Sequence, residues 1–387
     1  MIPLKYTIRS LAARRVTSLM TIFGTALVVW ASVLAFGLAA GLDRTLDVSS
    51  DPLDLIVMRK GATSETSSVV NESAAREIAA LAGIETDRSG RPLCSGELLV
   101  VINTPRRAAG GSANLMVRGV TPIARALRPD FQIVEGRDLG LGLREAVASR
   151  AIAQRFEGAG LGETLKVFDG QFRIVGLFED GDSAAESEVW TDLRVLGQAS
   201  QRTGFLSTVQ LRAKSDEALE RLSGRITDDE QFGLEAHSED KYFADQQISG
   251  TALKIVGWII AGFLVVGSAF AVANTMYGAV ASRSREIGTL RALGFEELDV
   301  LVAFLVEALI LCLLGGILGC LGTLPFNGLS TGTANWVTFT EIAFSFYFGP
   351  KVLFLGAALA IAMGLVGGFF PALRSTRMKT VDALREI

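Results

Sequence analysis

Residues 283–295 read RSREIGTLRALGF and separate two long apolar runs, Ile255 to Val280 and Val300 to Leu324. Each run exceeds the roughly 20 helical residues that cross a hydrocarbon core. The stretch between them holds three arginines and one glutamate in the pattern of a short helix. Such a helix has to lie outside the lipid. The sequence therefore predicts two membrane helices joined by a short polar helix.

The composition indicates a membrane protein with a large water-facing part. Hydrophobic residues make up 49% of the chain and the mean hydropathy is +0.38, whereas 20% of the residues are charged. The runs Thr17 to Ala40 and Val352 to Phe370 bring the predicted transmembrane helices to four. The first run is longer than a signal-peptide core of about 7–15 residues, so we interpret it as an uncleaved signal anchor.

The charges predict which segments face the cytoplasm. Residues 42–250 carry a net charge of −9, and the rest of the chain carries +5. The positive charges outside 42–250 lie mostly at Lys5, Arg9, Arg14 and Arg15, at Arg283, Arg285 and Arg291, and at Arg374, Arg377, Lys379 and Arg385. Cytoplasmic loops of membrane proteins are enriched in lysine and arginine. We therefore predict that these three basic segments are cytoplasmic and that residues 42–250 are outside.

These features divide the chain into nine predicted segments. They are a cytoplasmic amphipathic helix at 1–15, transmembrane helices at 16–41, 251–281, 297–325 and 350–372, an extracytoplasmic domain at 42–250, a cytoplasmic helix at 282–296, an outer loop at 326–349 and a cytoplasmic tail at 373–387. The large domain contains one cysteine, Cys94. Its stability has to come from a packed core and not from an internal disulfide.

The 42–250 segment alternates strand-like and helix-like stretches, which predicts an α+β domain. The strand candidates are 54–58, 97–103, 113–120, a strand entering a helix at 145–156, a hairpin at 163–178 that turns at Asp169-Gly170, 207–213 and 232–236. The helix candidates are 71–84 and 215–226, the second capped by Ser215. The last strand-helix-strand unit can pair with the first block. This pairing predicts two lobes, one of about 42–120 plus 205–250 and the other of 121–204.

No motif in the chain indicates catalysis or a bound cofactor. The sequence contains no G-x-x-x-x-G-K-[ST] phosphate loop, so we predict that this polypeptide is not an enzyme and that any ATP is bound by a partner. The single histidine, His237, has no cysteine near it in the sequence, which argues against a zinc site or a histidine-based triad. We predict no catalytic, cofactor-binding or metal-binding residues and no nucleic-acid partner.

Among the polar residues inside the predicted membrane helices, we single out Glu307 and Asn274. Glu307 is the one acid well inside a predicted span, and Asn274 lies near the end of another. An ionised carboxylate is costly in hydrocarbon, so Glu307 has to be paired, protonated or turned toward the interior of the helix bundle or an aqueous gap. Two roles stay open for it: it locks helices together, or it takes part in gating or coupling.

Three stretches resemble the permease subunits of the MacB/FtsX family of ATP-binding-cassette (ABC) systems, also called type VII or mechanotransmission transporters. The most specific is NTMYGAVASRSREIGTLRALGF at 274–295, which resembles the family's pattern from the second helix into the cytoplasmic loop. The others are FLVEALILCLLGGILG at 304–319, similar to the third helix, and FFPALRSTRMKTVDALRE at 369–386, similar to the C-terminal end. The family usually has a proline where this chain has Thr380.

The resemblance implies that residues 282–296 form a coupling helix that seats in a cytoplasmic ABC ATPase. The implied coupling residues are Arg283, Arg285, Glu286, Ile287, Gly288, Arg291, Ala292, Leu293 and Gly294. It also implies a bacterial inner-membrane protein with both termini cytoplasmic, surrounded by membrane lipid and paired with a second permease copy or paralogue as a homo- or heterodimer. A periplasmic adaptor is a further candidate partner.

Three functions fit these patterns. The first is a permease subunit that uses a partner's ATP hydrolysis to move its outer domain and to export or extract a substrate. The second is an FtsX-like mechanical regulator of an extracytoplasmic cell-wall enzyme, without transport. The third is a binding or sensory protein with no ATPase. A simple basic anchor loop explains the arginines of 283–295, but it does not explain Glu286 or the ordered helical pattern.

Overall fold

The computed structural model describes residues 14–107, 110–246, 248–334 and 340–376. Most of the predicted amphipathic helix at 1–15 and the tail beyond residue 376, including Thr380, lie outside these described residues. The described residues form two compact units. The membrane unit comprises the described parts of Met1–Gly41, Ala252–Leu329 and Phe346–Ile387. The α+β domain comprises the described parts of Leu42–Thr251 and Ser330–Ser345.

The described helices confirm the predicted architecture of four membrane helices and a large domain between the first and the second. In chain order they are α1 (Arg15–Val48), α2 (Glu72–Ala79), α3 (Arg150–Arg155), α4 (Leu193–Ala199), α5 (Asp216–Asp228), α6 (Glu239–Gln246), α7 (Ile248–Ala281), α8 (Ser284–Ala292), α9 (Glu297–Thr323) and α10 (Pro350–Thr376). Helices α1, α7, α9 and α10 contain segments long and apolar enough to cross a membrane.

The described strands belong to the α+β domain. They are β1 (Asp54–Arg59), β2 (Val70–Asn71), β3 (Cys94–Pro105), β4 (Ser112–Val120), β5 (Gln132–Gly136), β6 (Glu145–Ser149), β7 (Thr164–Val167), β8 (Gly170–Glu179), β9 (Glu188–Asp192), β10 (Phe205–Leu206), β11 (Thr208–Arg212), β12 (Leu234–Ser238), β13 (Ser330–Ala334) and β14 (Glu341–Ser345). Strands β2 and β10 form a small separate pair, and β13 and β14 form an antiparallel hairpin.

A ten-stranded sheet runs through the whole α+β domain in the order β12-β1-β11-β3-β4-β9-β6-β8-β5, with β7 paired to β8. The strands of the first predicted lobe fill one half of the sheet, and those of the second fill the other. The unit from β11 to β12 pairs with the first block, because β1 lies between these two strands and β11 also pairs with β3. The halves meet where β4 pairs with β9 in parallel. The two lobes therefore share one continuous sheet.

Two segments depart from the sequence prediction. The helix predicted over 71–84 ends at Ala79, because Gly83 has a φ of +106° and the next residue, Ile84, pairs with Ala213 in a β-bridge. Within the segment predicted as an outer loop, residues 330–345 contain the β13–β14 hairpin and belong to the α+β domain.

Glycines let the membrane helices approach at backbone distance. A Cβ atom on Gly319 of α9 would lie 2.6 Å from the carbonyl oxygen of Ala26 on α1, and one on Gly367 of α10 would lie 2.8 Å from the carbonyl oxygen of Ala269 on α7. Because lipid tails are as apolar as the helices, such close packing is a main source of helix association in membranes. The glycine-rich runs of α9 and α10 therefore serve packing within the membrane unit.

We predict that Gly319→Val destabilises the protein by about 1–3 kcal/mol, the usual cost of forcing extra methyl groups into a packed interior. The measurement is the free energy of unfolding of the full chain in detergent. The matched control is Gly262→Val on α7, where an added Cβ meets nothing within 4 Å. Equal losses in the two variants would show that helix propensity, and not backbone contact, determines the effect.

Candidate functional site

The polar helix α8 is bounded by strong local signals at its C-terminal end. Gly294, with a φ of +95°, donates its N–H to the carbonyl of Arg291 (3.1 Å), and the N–H of Phe295 reaches the carbonyl of Leu290 (3.2 Å). This left-handed glycine cap ends α8. A capping box between Glu296 and Asp299 then starts α9. The turn between the two helices is therefore held by backbone bonds on both sides.

The predicted coupling residues divide by exposure. Arg285, Glu286, Ala292, Leu293 and Gly294 are exposed, Ile287 and Gly288 are buried, and Arg283 and Arg291 lie between these extremes. The exposed side chains include a large apolar one, because Leu293 is 73% exposed, and Leu298 at the start of α9 is 67% exposed. Helix α8 thus presents a mixed charged and apolar face to its surroundings and buries its other face.

Arg283 connects α8 to the interior of the membrane unit. Its Nε donates to a carboxylate oxygen of Glu286 (2.8 Å), and its Nη1 donates to Glu307 on α9 (3.3 Å). Its guanidinium also lies over the ring of Phe304, 5.6 Å from the ring centroid. Glu307 is 4% exposed. This buried carboxylate is paired with Arg283, which satisfies one of the conditions expected for an acid inside a membrane span.

Arg291 holds the other end of α8. Its Nη1 forms an ion pair with Glu297 at the start of α9 (2.8 Å) and reaches the carbonyl oxygen of Thr376 at the end of α10 (3.4 Å). The two arginines therefore contact α9 from both ends of α8, and Arg291 adds a contact to α10. Because Arg283 and Arg291 are used within the membrane unit, the exposed face of the predicted set consists of Arg285, Glu286, Ala292, Leu293 and Gly294.

Asn274 lies apart from this arrangement. It is exposed on α7, and the neighbouring Thr275 donates its hydroxyl to the carbonyl of Ala271. The two polar residues predicted inside the membrane helices are thus in different environments, Glu307 in the interior and Asn274 on the surface of the membrane unit.

A buried ionic cluster in the α+β domain was missed by the sequence prediction. Arg118 on β4 donates to Glu65 (3.0 Å), Glu97 (2.7 Å) and Glu188 (2.6 Å), and all four residues are less than 9% exposed. Arg128 donates to Glu97 as well. Burial raises the pKa of Glu65, while for Glu97 the two arginines outweigh burial and lower the pKa. The signal in the sequence was the placement of charged residues at inward positions of hydrophobic strands.

A cavity of about 270 Å³ adjoins this cluster within the α+β domain. Its lining includes Arg118, Arg128, Asp180, Glu239 and Tyr242. The carboxylate of Glu239 accepts a hydrogen bond from the backbone N–H of Asp51 (3.1 Å). Burial, followed by the negative charge of Asp54, raises the pKa of Glu239 to about 8. This hydrogen bond joins the segment just after α1 to the start of α6, just before α7.

We predict that the protein loses stability as the pH rises from about 4.5 to 8. In this window the folded state keeps the Glu239 proton, whereas the unfolded chain has released it. Folding therefore takes up a proton, and a rise in pH makes folding less favourable. The melting temperature of the full chain in detergent should fall across pH 5.5–8.5, and Glu239→Gln should reduce this slope. The exposed Glu230→Gln is the control. An unchanged slope in Glu239→Gln would contradict the prediction.

We predict strong non-additivity between Arg283 and Glu307. Arg283→Met removes the ion-pair partner of a buried carboxylate, which typically costs about 3–5 kcal/mol. The double variant Arg283→Met/Glu307→Gln removes the charge as well and should be more stable than Arg283→Met alone. The measurement is a double-mutant cycle of unfolding free energies. If the loss of unfolding free energy in the double variant equals the sum of the losses in the two single variants, the two side chains act independently.

Comparison with known proteins gives two matching family models. The model described as the MacB-like periplasmic core domain matches residues 18–229, and the model described as the FtsX-like permease C-terminal matches residues 258–380. The first match alone covers more than half of the 387 residues.

Curated relatives give the same assignment. The uncharacterized ABC transporter permease MJ1507 of Methanocaldococcus jannaschii is 24% identical over 58% of this chain and 57% of its own length. The macrolide export ATP-binding/permease proteins MacB of Photorhabdus laumondii and of Shigella boydii are 26% and 28% identical, each over 58% of this chain and 35% of the relative. The chain thus spans little more than half of the length of MJ1507 and about a third of the length of the two MacB proteins.

Among solved structures, the periplasmic region of MacB from Actinobacillus actinomycetemcomitans aligns at 12% identity with a TM-score of 0.38, over 54% of this chain and 97% of that one. The family assignment depends on the two sequence models and on the curated relatives, which agree. This multi-pass membrane protein belongs to the MacB/FtsX family of ABC transporter permeases.

Proposed function

We propose that this chain is the membrane subunit of an ABC transport system in which a separate cytoplasmic ATPase binds the exposed face of α8. Hydrolysis of ATP by that partner then moves the α+β domain, which lies outside the inner membrane, and this motion exports or extracts a substrate. Two permease copies, or this chain and a paralogue, act together with two ATPase subunits. Both chain termini face the cytoplasm.

The observation that carries this proposal is the way α8 is mounted. Arg283 and Arg291 join it to α9 and α10, while Glu286, Ala292 and Leu293 stay exposed. A short helix held at both ends can pass a push from a bound partner into two membrane helices. An exposed leucine beside charged residues is also suited to binding a protein, since such interfaces combine an apolar anchor with a polar rim.

The charge distribution supports the proposed orientation. Residues 42–250 are acidic, whereas α8 contains Arg285 and Arg291 and lies between two apolar helices. Cytoplasmic segments are enriched in arginine and lysine. The sequence of residues 1–387 holds no phosphate loop, which supports the division of labour, and the names of the MacB relatives join a permease to ATP binding, which supports an ABC ATPase as the partner.

The packing of the membrane unit supports a mechanical mode of action. Its core is built mainly from apolar side chains contributed by several helices, including Val29, Val272, Phe304 and Met363. Such an apolar core favours a mechanical role over the passage of a hydrophilic substrate through it. We therefore propose that the substrate is taken up on the outer side of the membrane or from its lipid.

We predict that Leu293→Arg weakens binding of the ATPase at least tenfold, because it replaces an apolar anchor by a charge at the proposed contact. The measurement uses the tagged full chain, purified from its own membranes, with bound proteins identified and ATP hydrolysis assayed. The matched control is Leu141→Arg in the α+β domain, where the leucine is 63% exposed, compared with 73% for Leu293.

The same purification discriminates between the functions. If the Leu293→Arg variant still binds the ATPase and still stimulates its ATP hydrolysis, the proposed contact is wrong. Absence of any ABC ATPase with the wild-type chain would support a binding or sensory protein instead. A murein hydrolase recovered together with the ATPase would replace export by regulation of a cell-wall enzyme.

A further inference from the structure

A buried carboxylate holds the β13–β14 hairpin inside the α+β domain. Glu341, the first residue of β14, is 5% exposed, and its two carboxylate oxygens pair with different arginines. Arg106 follows β3 and donates to one oxygen at 2.5 Å, while Arg155 at the end of α3 pairs with the other. Both arginines come from the body of the domain, although Glu341 comes from the segment between α9 and α10.

Further contacts fix the position of the hairpin. Arg155 donates from Nη1 to the carbonyl oxygen of Thr331 on β13 (2.8 Å), and the hydroxyl of Ser187 accepts the backbone N–H of Ala343 (2.8 Å). The Arg155 guanidinium also lies so close to Gly332 that a Cβ atom there would come within 2.3 Å of it. The hairpin therefore contacts α3 and the segment before β9, as well as Arg106.

Two positively charged side chains meet at the carboxylate of Glu341. Burial and the nearby positive charge of Arg106 both lower the pKa of Arg155, which means that its charged form is disfavoured there. The carboxylate of Glu341 lies against both guanidinium groups and offsets their repulsion. Without it, two partly buried cations face each other with no shared anion, which is unfavourable in a site of limited solvent access.

The connections from the hairpin to the membrane helices are short. Three residues, 327–329, separate the turn Leu324–Phe326 after α9 from β13, and four residues, 346–349, separate β14 from α10. Backbone bonds between Gly328 and Phe346 and between Phe346 and Leu329 tie these connections together. Three or four residues span only about 10–14 Å when fully extended, so little slack is available.

We propose that Glu341 is a positioning residue that makes the segment between α9 and α10 a rigid connection to the α+β domain. Movement of these two helices then reaches the domain through the docked hairpin, in addition to the continuous chain at α1 and α7. This inference rests on the proposed function, because it assumes that ATP hydrolysis by a partner moves the membrane helices.

Hydrogen–deuterium exchange of the full chain in lipid nanodiscs tests the docking without any partner. We expect the amides of Glu341–Ser345 to exchange at least tenfold faster in Glu341→Ala, while β3 and β4 keep their protection. Glu341→Gln should have a smaller effect.

The matched control is Glu163→Ala. It removes another arginine-paired carboxylate, because Glu163 pairs with Arg107, but Glu163 is 38% exposed. Wild-type exchange in Glu341→Ala would overturn the proposal.

The second arm uses the complex with the ATPase that copurifies with the chain. A non-hydrolysable ATP analogue should change amide exchange in the α+β domain of the wild type, and Glu341→Ala should lose at least half of this change while the complex stays assembled. A full response in Glu341→Ala would overturn the positioning role and leave the proposed function intact. No response in the wild type itself would overturn the proposed function, and the transmission by Glu341 with it.

Discussion

The guanidinium of Arg283 lies between Glu286 on α8 and the buried Glu307 on α9, and the arrangement of the polar helix depends on this pairing. A carboxylate inside a membrane helix has a large solvation cost unless a cation is held beside it. The cation comes from the residue that precedes α8. The pairing that stabilises Glu307 therefore also anchors the N-terminal end of α8 to α9. A single interaction thus serves the stability of the membrane unit and the orientation of the exposed face.

The α+β domain also buries charged side chains, and it pairs them in a larger network. Arg118 and Arg128 lie among Glu65, Glu97 and Glu188, so that the charges are distributed over β3, β4 and the segments around them. Networks of this kind add little stability compared with apolar packing, but they are strongly unfavourable when one member is lost. They favour a single register of the strands that carry them. The cluster lies close to the junction of β4 and β9, where the two halves of the sheet meet.

Much of the fold could be predicted from the sequence because the membrane helices and the longer strands have strong local patterns. The runs around Leu98 and Leu115 are β-rich and were placed correctly, while β9 was missed as a short strand after a polar stretch. The β13 sequence, STGTA, is small and polar and was assigned to a loop. For the site, the cost of burying Glu307 predicted a partner or an interior position. It could not predict Arg283, because that pairing depends on how α8 turns back onto α9.

The strand order of the α+β domain has a consequence for its synthesis. Strand β1 is the first to be made, yet both of its neighbours, β11 and β12, end the domain's main segment. Pairings between segments so distant in the chain close slowly, because the connecting chain has to be ordered first. The hairpin β13–β14 is made later still, after α7, α8 and α9. The ten-stranded sheet therefore lacks both neighbours of β1 until β12 has been synthesised, and the domain receives its separate hairpin only after three further helices have been made.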